Sequence, residues 1–150
     1  MAASKHSFKI AEAELNLKLD KLLYNIQLDC KKDAYNYLTQ LKEPAFLELH
    51  QILLNFEGVT GEGTPPAIDV YVNVPEGNSP AEKYFVGTLA FFGLATVTSK
   101  GESMFQSLDI GKALFNSHFD ASKENLKITL VLSHPPRGHI HLQRVTLLVL

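Results

Sequence analysis

Hydrophobic residues recur at every second position through much of this chain. From Glu14, ELNLKLD places Leu15, Leu17 and Leu19 on one face, the period of a half-buried strand. In LLYNIQLD, Leu22, Tyr24, Ile26 and Leu28 share a parity, and Asp20-Lys21 supplies the turn between the two strands. IDVYVNV alternates most cleanly: Ile68, Val70, Val72 and Val74 face one way, Asp69, Tyr71 and Asn73 the other. That pattern predicts Val70 and Val72 as core residues on a central strand. KYFVGTLAFFG is nearly apolar on both faces, which also suits a central strand. SMFQSLDI is a further strand, and LKITLVLS with HLQRVTLLVL predicts a closing hairpin. In ELHQILLNFEGV the alternation of Leu49, Ile52, Leu54 and Phe56 is imperfect, so either a bulge or a helical start fits.

Other segments break the alternation. Ala34, Tyr37, Leu38 and Leu41 fall at helical spacing and Pro44 ends the run, which predicts a short helix. GKALFNSHF predicts a helical turn or two. Gly58, Gly61, Gly63, Pro65 and Pro66 mark a tight loop. Residues 1–9 read as a loose lead-in, and no linker divides the rest, so residues 1–150 read as a single domain. The expected fold is mostly β: an antiparallel β-sandwich or jelly-roll-like barrel of seven to eight strands with one or two short helices.

Three pieces of the stretch from Phe56 to Gly93 carry a family likeness: the EGV turn at Glu57–Val59, the strand DVYVNVP at Asp69–Pro75, and the strand VGTLAFFG at Val86–Gly93. They resemble the C-terminal β-domain that follows the di-copper domain in tyrosinases, polyphenol oxidases and molluscan haemocyanins. The resemblance implies an accessory role: shielding the active site, restraining substrate entry, or assisting copper loading and folding. It implies oxidation of phenols or catechols by O₂ as the parent reaction, and copper in the partner domain rather than in this chain. The implied partner is a di-copper tyrosinase-like domain, in cis or in trans. In that family the accessory domain often inserts one side chain into the mouth of the copper site. Candidates for this placeholder are Tyr71, Tyr84, Phe91 and Phe92, with Phe105 weaker. The alternative for each is packing in the core, where large apolar side chains belong.

Type 3 copper needs six imidazole ligands on a helical bundle. The histidines here are His6, His50, His118, His134, His139 and His141; none forms an i,i+4 pair. The sequence therefore predicts no catalytic site in this chain, and it is not expected to act as an enzyme alone. The metal-like feature is SHPPRGHIH. On a strand, His139 and His141 project from one face, about 7 Å apart at Cα. With a hairpin loop at Pro135–Gly138, His134 would sit opposite His139, and the three could take Zn²⁺ or Cu²⁺. The alternative is a polar strand end facing solvent, and no neighbouring carboxylate orients the rings.

Composition narrows the picture further. Hydrophobic content of 45% with 20% charged residues is that of a globular domain. A net charge of −2 and a pI near 6.3 argue against nucleic acid or an anionic membrane as partner. No segment has the roughly 18 apolar residues that span a bilayer, and MAASKHSFKI has no apolar core of signal-peptide length. The single cysteine, Cys30, fits a reducing cytosol. Lys31 and Lys32 beside it could lower its pKa; the alternative is a packed, idle thiol. Ser7, Ser99 and Ser103 lack a nucleophile-elbow context, and GVTGEG lacks the Lys-Ser/Thr of a phosphate loop. Glu57 and Glu62 read as turn residues, and Asp69 as a hydrogen-bond partner of the neighbouring turn. The competing functional class is a self-contained β-sandwich binding module or a homo-oligomeric assembly module. The terminal LLVL must be buried in the fold or in an oligomer.

Overall fold

A computed structural model describes residues 8–30, 50–75, 77, 79–116 and 125–150. The helix expected at Ala34–Leu41, and with it His6 and His118, lies outside the described residues. The strands are β1 (Phe8–Lys18), β2 (Leu23–Cys30), β3 (Ile52–Gly61), β4 (Ile68–Val72), β5 (Phe85–Leu89), β6 (Met104–Asp109), β7 (Leu126–Leu132) and β8 (Ile140–Val149). Among the described residues two short helices, α1 (Leu94–Ser99) and α2 (Gly111–Asn116), flank β6. Among the described residues no helix is long and apolar enough to cross a membrane.

The eight strands form one antiparallel sheet in the order β5-β4-β7-β2-β1-β8-β3-β6. β1 and β2 pair only at Ala11↔Cys30 and Glu12↔Asp29, so the sheet divides there into two four-strand halves. Both halves contribute to one core, which includes Leu28, Phe56, Val70, Val72, Ile128 and Leu147. The alternation in the sequence is the inward face of this core over β4, where Ile68, Val70 and Val72 are buried; the expected fourth member, Val74, is buried outside the core cluster, because Asn73 at φ 53° turns the chain off the strand.

The outer strands β5 and β6 return to each other. Gln106 Nε2 donates to the Thr88 carbonyl at 3.3 Å, and Gln106 Oε1 accepts from the Ala90 N–H at 3.0 Å. A Cβ at Gly87 would lie 3.0 Å from Leu108 Cδ2, so the bare glycine lets β6 approach. The sandwich is thereby a nearly closed barrel, which removes most of the exposed sheet edge.

Several strand assignments differ from the sequence reading. β7 and β8 are not a hairpin: β7 lies between β2 and β4, and β8 between β1 and β3. The Ser133–His139 connection crosses from one half of the sheet to the other, so each of these very apolar strands gains two partners. β5 is an edge strand, paired by backbone only with β4. Its outward Phe85 packs edge-on against Tyr71, ring centroids 5.5 Å apart, which explains an apolar residue on the outer face. β3 continues through Gly58, where φ of 66° makes a bulge between Phe56 and Val59, and ends only at Gly61. β1 begins at Phe8, inside the expected lead-in. α1 falls directly after FFG, where Gly93 at φ 77° turns the chain out of the strand direction. The terminal LLVL is accommodated within the fold, with Leu147 and Val149 buried.

Candidate functional site

Strand registers define one end of the barrel. Ile68 pairs with Leu89 and Leu132, Gly61 with Ile140, and Lys18 with His141. Segments 19–22, 62–67, 90–93 and 133–139 therefore emerge together. Backbone hydrogen bonds tie them: Glu62 N–H to the His139 carbonyl (2.9 Å), Ser133 N–H to Ala67 (2.9 Å) and Leu19 N–H to Ile140 (2.8 Å). The Tyr24 hydroxyl accepts from the Lys21 N–H at 2.7 Å and donates to Asp20 Oδ1 at 2.7 Å, which fixes the 19–22 turn. Gly61 N–H donates to Thr98 Oγ1 at 2.9 Å and anchors α1.

Two glycines interlock the longer loops. A Cβ at Gly63 (φ 74°) would lie 2.4 Å from the Arg137 carbonyl oxygen, and one at Gly138 (φ 104°) 2.7 Å from that of Glu62. Neither backbone conformation suits a side chain, and the obstructing atoms are main chain. Gly138→Ala should therefore destabilise the protein by about 1–3 kcal/mol. Thermal unfolding checks this; an unchanged midpoint would mean the loops do not meet as described.

Between these loops lies an apolar cleft of about 290 Å³. Thr64, Pro65 and Pro66 form one wall, and Ala90 to Thr96 the other. Phe91 is buried, while its neighbour Phe92 stands at the cleft with 86% of its surface exposed. Phe105, 72% exposed near the start of β6, and the half-exposed Leu22 and Leu23 lie at the same end. A second hollow, lined by His134, Pro135, Pro136 and Arg137, shares Thr64 with the cleft. Arg137, His134 and His139 supply the polar border. This end can seat against an apolar surface and project one aromatic ring into it.

The sequence-derived candidates divide accordingly. Phe91 and Phe92 are at this end; Tyr71 packs on Phe85 on the flank, and Tyr84 lies in a 3₁₀ turn with Lys83 Nζ 4.9 Å from its ring centre. His134 and His139 are exposed on the crossing segment, and His141 is half-buried on β8. Because β8 does not pair with β7, His134 does not face His139 across a ladder; its Nδ1 lies 2.9 Å from the Pro135 carbonyl oxygen. His50 is remote, its Nδ1 3.1 Å from the Leu150 oxygen. Among the described residues no three His, Cys, Asp or Glu side chains form a group able to hold a metal ion, and the described histidines do not fit a two-copper centre.

Away from this end, several polar side chains bridge neighbouring strands. Asp69 Oδ1 accepts from Thr88 Oγ1 at 2.8 Å, so its partner is cross-strand rather than in a turn. Glu57 is likewise no turn residue: it lies on β3 and accepts from the buried Thr146 hydroxyl at 2.7 Å. Arg144 joins it to Glu14, and these carboxylates, Glu14 foremost, hold the guanidinium charged. The alternation rule could not see this network, because it depends on which strands are neighbours. For Cys30, burial pushes the thiol up rather than down, with a backbone contact from Leu126 partly opposing. Iodoacetamide should therefore modify Cys30 more slowly than a free cysteine at pH 8, with the rate still rising above the ordinary thiol range. A reaction at the free-thiol rate would contradict the burial.

Solved polyphenol oxidase structures share this fold over part of their length. The chain superposes on a recombinantly expressed latent aurone synthase (polyphenol oxidase) with a TM-score of 0.60 at 10% identity, over 92% of this chain and 26% of that one. Latent aurone synthase (polyphenol oxidase) from its natural source gives 0.54 at 15% identity, over 90% and 26%. A latent apple tyrosinase gives 0.49 at 17% identity, over 95% and 27%. At these identities the likeness is one of fold, and the chain spans about a quarter of the length of those proteins. No curated protein matches it. A family profile described as a domain of unknown function, DUF7868, matches residues 1–149, and the chain belongs to that family.

Proposed function

We propose that this chain is the accessory, C-terminal-type domain of a tyrosinase-like copper oxidase, and that it docks on the catalytic domain through the loop end of the barrel. The fold likeness to a segment of polyphenol oxidase chains supports the class of partner. The exposure of Phe92 carries the reading. Leaving a phenylalanine in water forgoes about 1.5–3 kcal/mol of burial, which a partner's apolar mouth would recover. Of the placeholder candidates, Phe91 is already committed to the core and Tyr71 to its contact with Phe85. Phe92 alone of these combines a free ring with a position beside a cleft. Copper would be held by the partner domain, where it supplies the oxidation of phenols. This chain would exclude substrate and water from that site.

The test uses the whole chain added to a tyrosinase-like catalytic domain from the same genome. Catechol oxidation should fall saturably with added chain, and calorimetry should show binding with a defined stoichiometry. Unchanged oxidation together with no heat of binding would remove the proposal.

A further inference from the structure

We propose that the flank of the barrel carries a second site, for a small hydroxylated carboxylic acid of the sugar-acid type. It is independent of the docking reading. β2 and β7 lie side by side with Asn25 opposite Thr129 and Gln27 opposite Lys127. Together with Val74, Pro75 and Pro80 these residues line a trough of about 440 Å³, within the range of roughly 300–1,000 Å³ common for small-molecule sites.

The wall of the trough is anchored. Asn73, in the left-handed region at φ 53°, donates its N–H to the Lys127 carbonyl at 2.9 Å, and its Oδ1 accepts from the Lys127 N–H at 3.3 Å. Val74 and Pro75 follow directly and are held beside β7. The floor is fixed too: the Thr129 hydroxyl, on a residue only 2% exposed, donates to Asn25 Oδ1 at 2.8 Å. That bond leaves the Asn25 amide hydrogens available. Among the described residues the Lys127 ammonium has no ion-pair partner and the Gln27 amide no hydrogen-bond partner.

Among the described residues no carboxylate lines the trough. One ammonium and a set of amide hydrogens without an acidic partner are complementary to a carboxylate. Gln27 offers an acceptor as well as donors and so can pair with a hydroxyl. Pro75 and Pro80 offer an apolar surface to ligand C–H groups. A neutral sugar would leave the ammonium without its counter-charge, and a simple carboxylate would leave the amides and the apolar wall unused. A molecule with both features satisfies all of them.

Galacturonate is the probe, with galactose and acetate as comparators, followed by two-dimensional ¹⁵N–¹H spectra of the whole chain. Galacturonate should produce saturable shifts confined to β2, β7 and residues near Val74 and Pro80. Galactose and acetate should each bind at least about tenfold more weakly, equivalent to roughly 1.4 kcal/mol. Lys127→Met and Gln27→Leu should each weaken galacturonate by about fivefold or more with unchanged thermal midpoints. Gln27 is exposed, so its variant tests the site even if the Lys127 variant unfolds. Equal binding of galactose would overturn the carboxylate assignment, and equal binding of acetate the hydroxyl assignment. No saturable shift up to about 50 mM, a bound weaker than ordinary weak affinity, would overturn the site itself. None of these outcomes bears on Phe92.

Discussion

A Val72→Asp chain should lose most of its stability, by about 4–5 kcal/mol or more. Val72 is fully buried on β4 and pairs with Ile128 of β7, inside the face that the core closes. A carboxylate there has no cation within the apolar cluster around Val70, Ile128 and Leu130. It must either shed its proton-accepting charge or drag water inward, and both act against folding. Domains of this kind hold only about 5–15 kcal/mol in total, so one such substitution removes a large part of it. Tyr71→Asp, one position along, is the control. Tyr71 lies on the outer face, so its variant loses the contact with Phe85 but keeps its charge in water, and should cost about 1 kcal/mol. Urea unfolding followed by circular dichroism measures both. Near-normal stability of Val72→Asp would show that the faces of β4 are assigned the wrong way round.

The contrast between these neighbours shows what the sequence carried and what it did not. Alternation identified the inner and outer faces correctly over Ile68–Val72, because a period of two follows from the pleat alone, and failed at Val74, where Asn73 leaves the strand conformation. It could not identify neighbours. β7 and β8 each read as apolar strands, and adjacency in sequence suggested a hairpin; the Ser133–His139 segment is instead a crossing between the two halves. Pairing of distant segments is decided by the whole sheet. The same limit hid the bond from Thr88 to Asp69, the contact of Thr146 with Glu57, and the interlocked Gly63 and Gly138. Cys30 shows it again: its neighbours in sequence are lysines, but burial dominates its chemistry. At the docking end, Phe91 and Phe92 were legible as candidates and indistinguishable, since both sit where a strand ends. The positive φ of Gly93 and the start of α1 leave one ring inside and one outside.

Phe92→Ser should separate docking from folding. The ring is almost wholly in water in the free chain, so its removal should change stability by no more than about 0.5 kcal/mol. If Phe92 enters the mouth of a catalytic domain, the same change should weaken inhibition in trans by about thirtyfold or more, as loss of a central aromatic anchor does. Phe91→Ala supplies the opposite signature: Phe91 is buried, so its truncation should cost about 3–5 kcal/mol of stability. Phe105→Ser, at the edge of the same end, should preserve folding and weaken inhibition only a fewfold, as rim contacts do. The discriminating measurement is the inhibition constant for catechol oxidation, set beside the thermal midpoint of each variant. A large loss with Phe105→Ser and none with Phe92→Ser would keep the docking end and transfer the inserted ring. Wild-type inhibition by both variants would place the contact on another face of the barrel, because among the described residues no large apolar side chain is more exposed than these two.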